Sequence, residues 1–590
     1  MAAQRAYTTH PLVLRRVSVR RVHEVTPRMR RVVLGGDDLA AFTRDGIDRP
    51  AFAAPGFDDH VKLILASDGD VRAALPAQLP YGIEWTPAEH RVTRDCTPRR
   101  VDLDAGELHL DFVLHGDGPA ESWSASAREG DELWFVGPKS SLRLPDSLDW
   151  ILLIGDETAL PAIGRFLDER PLDAPAHVLV TVPDDAARQE LALRDGDTIT
   201  WVVAEPGDAV ALEAAVRALP SPPGEGYAWA AAESRALLPV RRYLQRERKF
   251  PKDRVNITGY WHREEAAAPR TPGTADAPTA PAPAPIPSPL PWLVARAALQ
   301  LGVIDAVADA PGLSTDALAT RAGVPGPGLG VLLPLLAAYD VVVAAEDGAG
   351  LRLGTAGEEL LDDHAREEYT GHEAELLLAL AQLAPALRDG TSPWRLASGT
   401  TLHASVTEDA ERYGELVEEC EQLVFLLDGL TADPLWEGVE SCLLTGPGSA
   451  SVVAALDDAG RRPRLRVAED AGPAEVLRGC VPAPDRVDFS AGPADVAVAA
   501  KALAYRTDEE AAALLGRLAE WTGTAVLVEA SRPDNLNPHA AGAALHAYTA
   551  TGSPLRDSAA VAALAERSGW RVERTVALGW GTEATVLRRA

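Results

Sequence analysis

"RDCTPR", residues 94–99, decides how the first part of this chain is read. Two arginines bracket a cysteine and a threonine, and Pro98 restricts the backbone at the turn. Arg94 and Arg99 carry the chemistry to hold a phosphate, and Thr97 can hydrogen-bond a ring carbonyl or nitrogen. Around this stretch lie short runs that alternate apolar and polar residues: "LVLRRVSVRRV", "MRRVVLG", "HVKLILA", "LHLDFVLHG" and "DELWFVG". Turn-rich segments separate them. That pattern predicts a small antiparallel barrel over residues 12–147, with RDCTPR at the end of one of its strands.

From about residue 150 the pattern changes. "DWILLIGDET" reads as a buried strand and "ALPAIGRFLDER" as the helix after it. "HVLVTV", "ITWVVA" and "YAWAAAE" are further strands, and a long amphipathic helix is expected through "SRALLPVRRYLQRER". Strands alternating with helices predict a parallel α/β domain over residues 148–263. Residues 264–291 are so rich in alanine and proline that they read as a semi-extended linker. Beyond it, residues 292–400 look helical, with an N-cap at Ser314, Thr315 and Asp316 and short strands placed as a wing would be. Residues 401–590 return to α/β, through "SCLLTGPGSASVVAAL", "RLRVAED", "ADVAVAA" and "GTAVLVEA".

A net charge of −30 argues against nucleic-acid or anionic-membrane binding, since both need basic surface. The four cysteines, Cys96, Cys420, Cys442 and Cys480, form no CxxC pair and read as reduced thiols. No resident metal site is expected. There is no apolar run of about 18 residues and no apolar core in the first residues. A cytoplasmic protein without membrane insertion is the expectation.

Six motifs then occur in order: "DDHVKLIL" at 58–65, "RDCTPR", "HGDGPAESWSASAREGDELWFVGP" at 115–138, "GDETALPAI" at 155–163, "AAAESRALLPVRRYL" and "GYWHRE". Together they closely resemble the siderophore-interacting protein family of ferric-siderophore reductases, over about residues 12–263. The resemblance implies a ferredoxin-reductase-like β-barrel plus an α/β nucleotide domain. It implies FAD, with NAD(P)H as electron donor and a ferric siderophore as substrate in the cleft between barrel and α/β domain. No side chain is expected to act as a catalyst, because the flavin carries the electrons.

Carried onto this chain, Arg94 inherits the contact to the FAD pyrophosphate and Thr97 the bond to the isoalloxazine edge. His115, Gly118, Pro119 and Ala120 match the second flavin-contacting loop, and Trp123 packs beside the flavin. Asp156, Glu157, Thr158 and Ala159 border the nicotinamide nucleotide, and their acidity leans toward NADH. Glu233 matches the acidic residue of a Gly-Glu element whose glycine is here Ala232. Tyr260 and Trp261 cover the flavin or the nicotinamide. Arg241, Arg242, Lys249 and Lys252 can attract an anionic siderophore, or can equally form a solvated helix face. Cys96 stands where the family signature has a tyrosine. Three readings stay open: weaker FAD binding compensated by another aromatic, a thiol that tunes the flavin or takes electrons, or a failing flavin site.

Residues 292–590 are similar to small-molecule O-methyltransferases of the winged-helix plus Rossmann-like methyltransferase fold. Their glycine loop corresponds to "LTGPGSA", residues 444–450, where Gly446 and Gly448 survive but Leu444, Pro447 and Ala450 do not match. Glu469 remains for ribose hydroxyls. Ala504 stands where the general-base histidine should be, while His539 and His546 lie downstream. S-adenosylmethionine binding is therefore doubtful and a non-catalytic module is expected, with a homodimer possible through the winged-helix part. The alternatives are an S-adenosylmethionine-dependent O-methyltransferase or bifunctional enzyme, and a non-enzymatic siderophore-binding or assembly protein.

Overall fold

The computed structural model describes residues 7–114, 118–145, 147–220, 222–263, 288–345, 350–536 and 542–590. The chain forms two compact units, and each contains segments from both sides of residues 264–291. One comprises Met1–Pro145, Gly164–Glu169 and Glu375–Ala590; the other comprises Asp146–Ile163 and Arg170–Ala374. Among the described residues no single helix is long and apolar enough to cross a membrane.

The first unit opens with seven strands: β1 (Leu14–Thr26), β2 (Met29–Gly35), β3 (Val61–Ala66), β4 (Arg91–Cys96), β5 (Pro98–Asp102), β6 (Glu107–Val113) and β7 (Glu132–Val136). They form one antiparallel sheet in the order β5-β6-β2-β1-β7-β3-β4. The two edge strands, β4 and β5, are consecutive in the chain and only Thr97 separates them. One residue spans under about 4 Å, so the sheet has to curl until its edges meet. Inward-facing Val32, Leu34, Leu63, Leu110 and Phe135 fill the interior.

Asp59 lies two residues before β3 and is only 2% exposed. Its Oδ2 accepts from Ser141 Oγ at 2.7 Å and from the Gly56 N–H at 2.8 Å, while Oδ1 has no partner. The same serine hydroxyl lies 2.7 Å from His10 Nε2. Burial pushes the Asp59 carboxyl up to about 7.

The rest of this unit is a doubly wound sheet: β8 (Ser441–Thr445), β9 (Arg464–Val467), β10 (Val487–Asp488), β11 (Val496–Ala500), β12 (Thr524–Ala530), β13 (Trp570–Gly579) and β14 (Thr582–Arg589). The order is β10-β9-β8-β11-β12-β14-β13, parallel up to β12 and closed by the antiparallel β14 and β13. The turn from β13 into β14 seats on the barrel. The Gly581 N–H donates to Glu84 Oε2 at 3.3 Å, and Arg532 pairs with the same oxygen at 2.8 Å. Asn535 donates to the Trp85 carbonyl at 2.7 Å. Trp580 and Leu536 pack against a barrel cluster of Leu12, Leu14, Ile83, Trp85 and Trp134.

The second unit begins with a five-stranded parallel sheet formed by Trp150–Gly155, Ala176–Val182, Thr198–Val203, Gly226–Glu233 and Val255–Trp261. The first of these strands lies between the second and the fourth, which puts the topological switch point between the first and the fourth. The long helix expected through residues 234–248 is broken up. Leu237–Arg242 is α-helical and Tyr243–Glu247 is a wider π-turn, closed by the Arg248 N–H on the Tyr243 carbonyl at 2.8 Å. The wider turn keeps Val240 and Leu244 buried while the Tyr243 ring stays beneath the Arg217 guanidinium, 4.4 Å from its centroid. Four helices, Leu290–Gln300, Val303–Asp309, Thr315–Ala322 and Gly326–Ala338, are followed by a two-stranded hairpin of Val342–Ala344 and Leu351–Leu353 and by the helices Thr355–Glu359 and Asp363–Thr370. The Ser314 hydroxyl caps Thr315–Ala322.

Two measurements check this packing. Gly579 has φ +113 and a Cβ there would lie 2.6 Å from the Ile83 carbonyl of the barrel, whereas a Cβ at Gly569, φ +81, would meet open space. Gly579→Ala is expected to cost at least about 2 kcal/mol in urea unfolding, and Gly569→Ala only about 1 kcal/mol. For Asp59, between the ordinary aspartate range near 4 and about 7 the unfolded chain gives up a proton that the folded chain keeps, so stability falls as pH rises through that window. Asp59→Asn removes that penalty, of order 4 kcal/mol at most, above pH 7 and leaves stability below about pH 4 without this gain. Equal changes at pH 8 and pH 4 would show that the carboxyl is not held neutral.

Candidate functional site

Strand register brings the flavin-motif residues to one end of the barrel. Pro98 of β5 opposes Leu110 of β6, and β6 runs on through Asp111, Phe112 and Val113 before its loop. Cys96 of β4 opposes Val61 of β3. The seam at 96–98, the end of β6 and the approach to β3 therefore share one end. The loop after β6 leads into α1 (Pro119–Ser126), whose N-cap is Gly118 in extended conformation. The Gly118 N–H donates to Glu121 Oε2 at 3.1 Å, the backbone half of a capping box. His115 lies outside the described residues.

Arg94 is exposed, and its Nη1 donates to the Thr93 carbonyl at 2.8 Å. Among the described residues no carboxylate pairs with it. Arg99 has the opposite fate: it pairs with Asp168 at 2.7 Å, so the expectation of two phosphate-holding arginines reduces to one. Thr97 is buried at the seam. Cys96, Ala120 and Trp123 rim the same barrel core, and the Trp123 ring lies 5.8 Å from Phe112 at 55°. Burial pushes the Cys96 thiol up to about 12. A thiol acts as nucleophile or reductant through its thiolate, so at neutral pH this one is a soft apolar contact.

In the α/β domain the predicted nucleotide residues gather at the switch point, but their carboxylates turn inward. Asp156 caps the turn Glu157–Ala159 through the Thr158 N–H at 2.9 Å. Its Oδ2 also accepts from the Glu233 N–H at 3.1 Å and from Trp261 Nε1 at 2.8 Å. One buried carboxylate thus ties the ends of three strands together. Burial raises the Asp156 pKa against these hydrogen bonds. Glu233 accepts from the Ala236 N–H at 2.8 Å and the Arg263 N–H at 3.2 Å. The leaning toward NADH rested on these acids disfavouring a 2′-phosphate; Asp156, bonded inside the fold, gives it no support. Glu157 and Ala159 are buried. Trp261 is committed to Asp156, and Tyr260 packs edge-on to Trp229 with centroids 6.2 Å apart.

The basic stretch after these strands is divided. Arg241 pairs with Asp362, and Arg242 pairs with Glu358 and, at 3.4 Å, with Glu213. Arg246 reaches Asp305 at 2.9 Å and Arg235 reaches Glu359 at 3.0 Å. Arg241 and Arg242, expected to attract an anionic chelate, are instead matched with carboxylates of the helical segment. Lys249 and Lys252 are exposed.

In the C-terminal sheet, Glu469 Oε1 accepts from Thr445 Oγ1 at 2.7 Å and from the Gly446 N–H at 2.5 Å, so the carboxylate expected to meet ribose is bonded to the glycine loop itself. Gly446 has φ +94 and a Cβ there would lie 2.4 Å from the Ala500 carbonyl, which explains why this glycine survives. Ala504 is exposed just beyond β11. His546 is half-buried on a helix, and His539 lies outside the described residues. Two features went unread in the sequence, buried Asp59 and a polar cluster around Arg506. Neither had a signal, because each depends on residues distant in the chain.

Residues 18–142 match the model of the siderophore-interacting FAD-binding domain, and residues 148–264 match that of the siderophore-interacting protein. A protein of Escherichia coli (strain K12), named NADPH-dependent ferric-chelate reductase, is 31% identical over 254 residues, which cover 42% of this chain and 94% of that one. The crystal structure of a siderophore utilization protein from T. fusca is 36% identical, covering 45% of this chain and 98% of its own, with a TM-score of 0.41. The mitomycin 7-O-methyltransferase MmcR is 23% identical, covering 51% of this chain and 94% of its own, with a TM-score of 0.39. With its barrel seam, its switch-point residues and a relative matched over nearly its full length, the chain belongs to the siderophore-interacting protein family.

Proposed function

We propose that the N-terminal half is a flavin-dependent ferric-siderophore reductase that draws electrons from NADPH, fused to a methyltransferase-like module that transfers no methyl group. The observation that carries this reading is the convergence of Arg94, Thr97 and the N-terminus of α1 at one end of the barrel. That donor set fits FAD: a guanidinium without an ion pair, a buried hydroxyl and the N-terminal turn of a helix together suit a pyrophosphate and the polar edge of a ring. Held there, FAD would supply hydride acceptance from a nicotinamide and one-electron transfer to Fe(III) in a chelate, whose hard oxygen donors hold Fe(II) less tightly.

The chain's own work is to bind and orient. Arg94 neutralises the pyrophosphate, and Thr97 fixes the edge of the ring. Cys96 and Trp123 supply apolar contact in place of a stacking tyrosine. Of the four cations assigned to the siderophore, Lys249 and Lys252 carry the proposal by their exposure, while both arginines are bonded to carboxylates. NADPH is the proposed donor because the Escherichia coli relative is named for it. For the second half, the alanine at position 504 and the self-bonded Glu469 both support loss of methyl transfer.

Purified full-length protein is expected to show flavin absorbance that NADPH bleaches anaerobically and a ferric siderophore restores. Arg94→Ala should weaken FAD binding about 10- to 100-fold, the equivalent of one charge-assisted hydrogen bond. Cys96→Tyr should tighten it about 2- to 10-fold by restoring a stacking surface. A colourless protein that takes up no added FAD overturns the reading.

A further inference from the structure

The C-terminal domain holds a buried cation that no carboxylate touches directly among the described residues. Arg506 is 2% exposed, and no carboxylate pairs with it among the described residues. Its Nη1 donates to the Ala502 carbonyl, and its Nε has no partner. Lys, Arg, Asp and Glu are almost never fully buried unless paired, so the missing partner needs a cause. Two carboxylates lie in the neighbourhood, and both are committed elsewhere. Glu469 accepts from Thr445 and Gly446. Glu529 accepts the Leu503 N–H at 2.7 Å, and burial holds it at about 7.

Two more polar atoms near this guanidinium, the Tyr413 hydroxyl and His403 Nδ1, are left over. The Tyr413 ring is fully buried on the helix Ala410–Glu419, and its hydroxyl has no partner. Tyr505, 2% exposed, lies under the guanidinium with its ring centroid 4.6 Å from the Arg506 Cζ, and its hydroxyl interacts with that same guanidinium. His403 closes the far side, its ring 5.5 Å from that of Tyr505, and its buried Nδ1 is unpartnered. Burial lowers the His403 pKa to about 4, so at neutral pH it adds a hydrogen-bonding ring without charge. The loop that presents Tyr505 and Arg506 is braced from below. Arg556 donates to the carbonyls of Leu503, at 2.8 Å, and Arg506, at 2.7 Å. The Lys501 N–H donates to the Val528 carbonyl at 2.8 Å. Tyr505 and Arg506 follow the C-terminal end of β11, next to β8, where the order of the sheet reverses.

We propose that Arg506, Tyr413, Tyr505 and His403 form a binding site for a small oxyanion, a carboxylate or a phosphate, at the switch point of the C-terminal sheet. Donors outnumber acceptors there, and a fixed guanidinium fork beside two phenolic hydroxyls matches either oxyanion. The same cation opposes a sulfonium, so this chemistry differs from that of a methyl-donor pocket. The site concerns the C-terminal domain alone and does not depend on the reductase reading.

The test is titration calorimetry on the full chain with citrate, acetate, inorganic phosphate and S-adenosylhomocysteine as separate probes. Saturable binding of a carboxylate or of phosphate is expected, and which of the two binds identifies the source of the anion. Tyr413→Phe, which removes one hydroxyl and preserves the packing, should weaken that binding about 3- to 10-fold, and Arg506→Gln at least about 10-fold. Thermal melts show whether each variant is folded, and Tyr413→Phe carries the test if Arg506→Gln is not. No saturable binding of any oxyanion at millimolar concentration overturns the proposal. So does binding that Tyr413→Phe leaves unchanged, or S-adenosylhomocysteine binding that the oxyanions fail to displace.

Discussion

Thr97 is the whole connection between the two edge strands of a seven-stranded sheet. A one-residue link cannot cross a flat sheet of that width, since neighbouring strands stand nearly 5 Å apart. The curl of the barrel, the burial of its apolar faces and the meeting of both edges at one end follow from that constraint. The same end then receives the last turn of β6 and the start of α1. Chemistry gathers there because geometry allows no other exit for the chain.

Carboxylates act as the internal fasteners of this protein. Asp156 joins the ends of three parallel strands, and Glu84 receives both the Gly581 N–H and Arg532. Glu469 holds its own glycine loop, and Asp362 and Glu358 hold Arg241 and Arg242. Asp156 and Glu469 are thereby removed from the roles their positions in the motifs suggest. The strongly acidic composition is thus partly structural, with a surplus left at the surface for solubility.

The strands were legible, because period-two alternation and runs such as "WILLIG" and "VAVAA" report directly on which faces are covered, while their order within each sheet was not. RDCTPR was legible as a strand end because proline and the paired arginines mark the turn. The inward turn of Asp156 was not, since it depends on Trp261, over a hundred residues away. Arg99, Arg241 and Arg242 read as free cations for the same reason: Asp168, Asp362 and Glu358 carry no mark of their future partners. The π-turn at Tyr243–Glu247 escaped a pattern that assumes regular helical spacing. Nor does local sequence reveal that segments flanking the proline-rich stretch pack into shared units.

That shared packing has a consequence for synthesis. Glu84 and the Gly581 N–H that it receives are separated by 497 positions. At roughly 5–20 residues per second, the barrel emerges from the ribosome roughly half a minute to a minute and a half before its cover exists. During that interval Trp85, Trp134 and the apolar floor beneath them face solvent. The nascent chain therefore carries a partly uncovered apolar surface through most of its own translation.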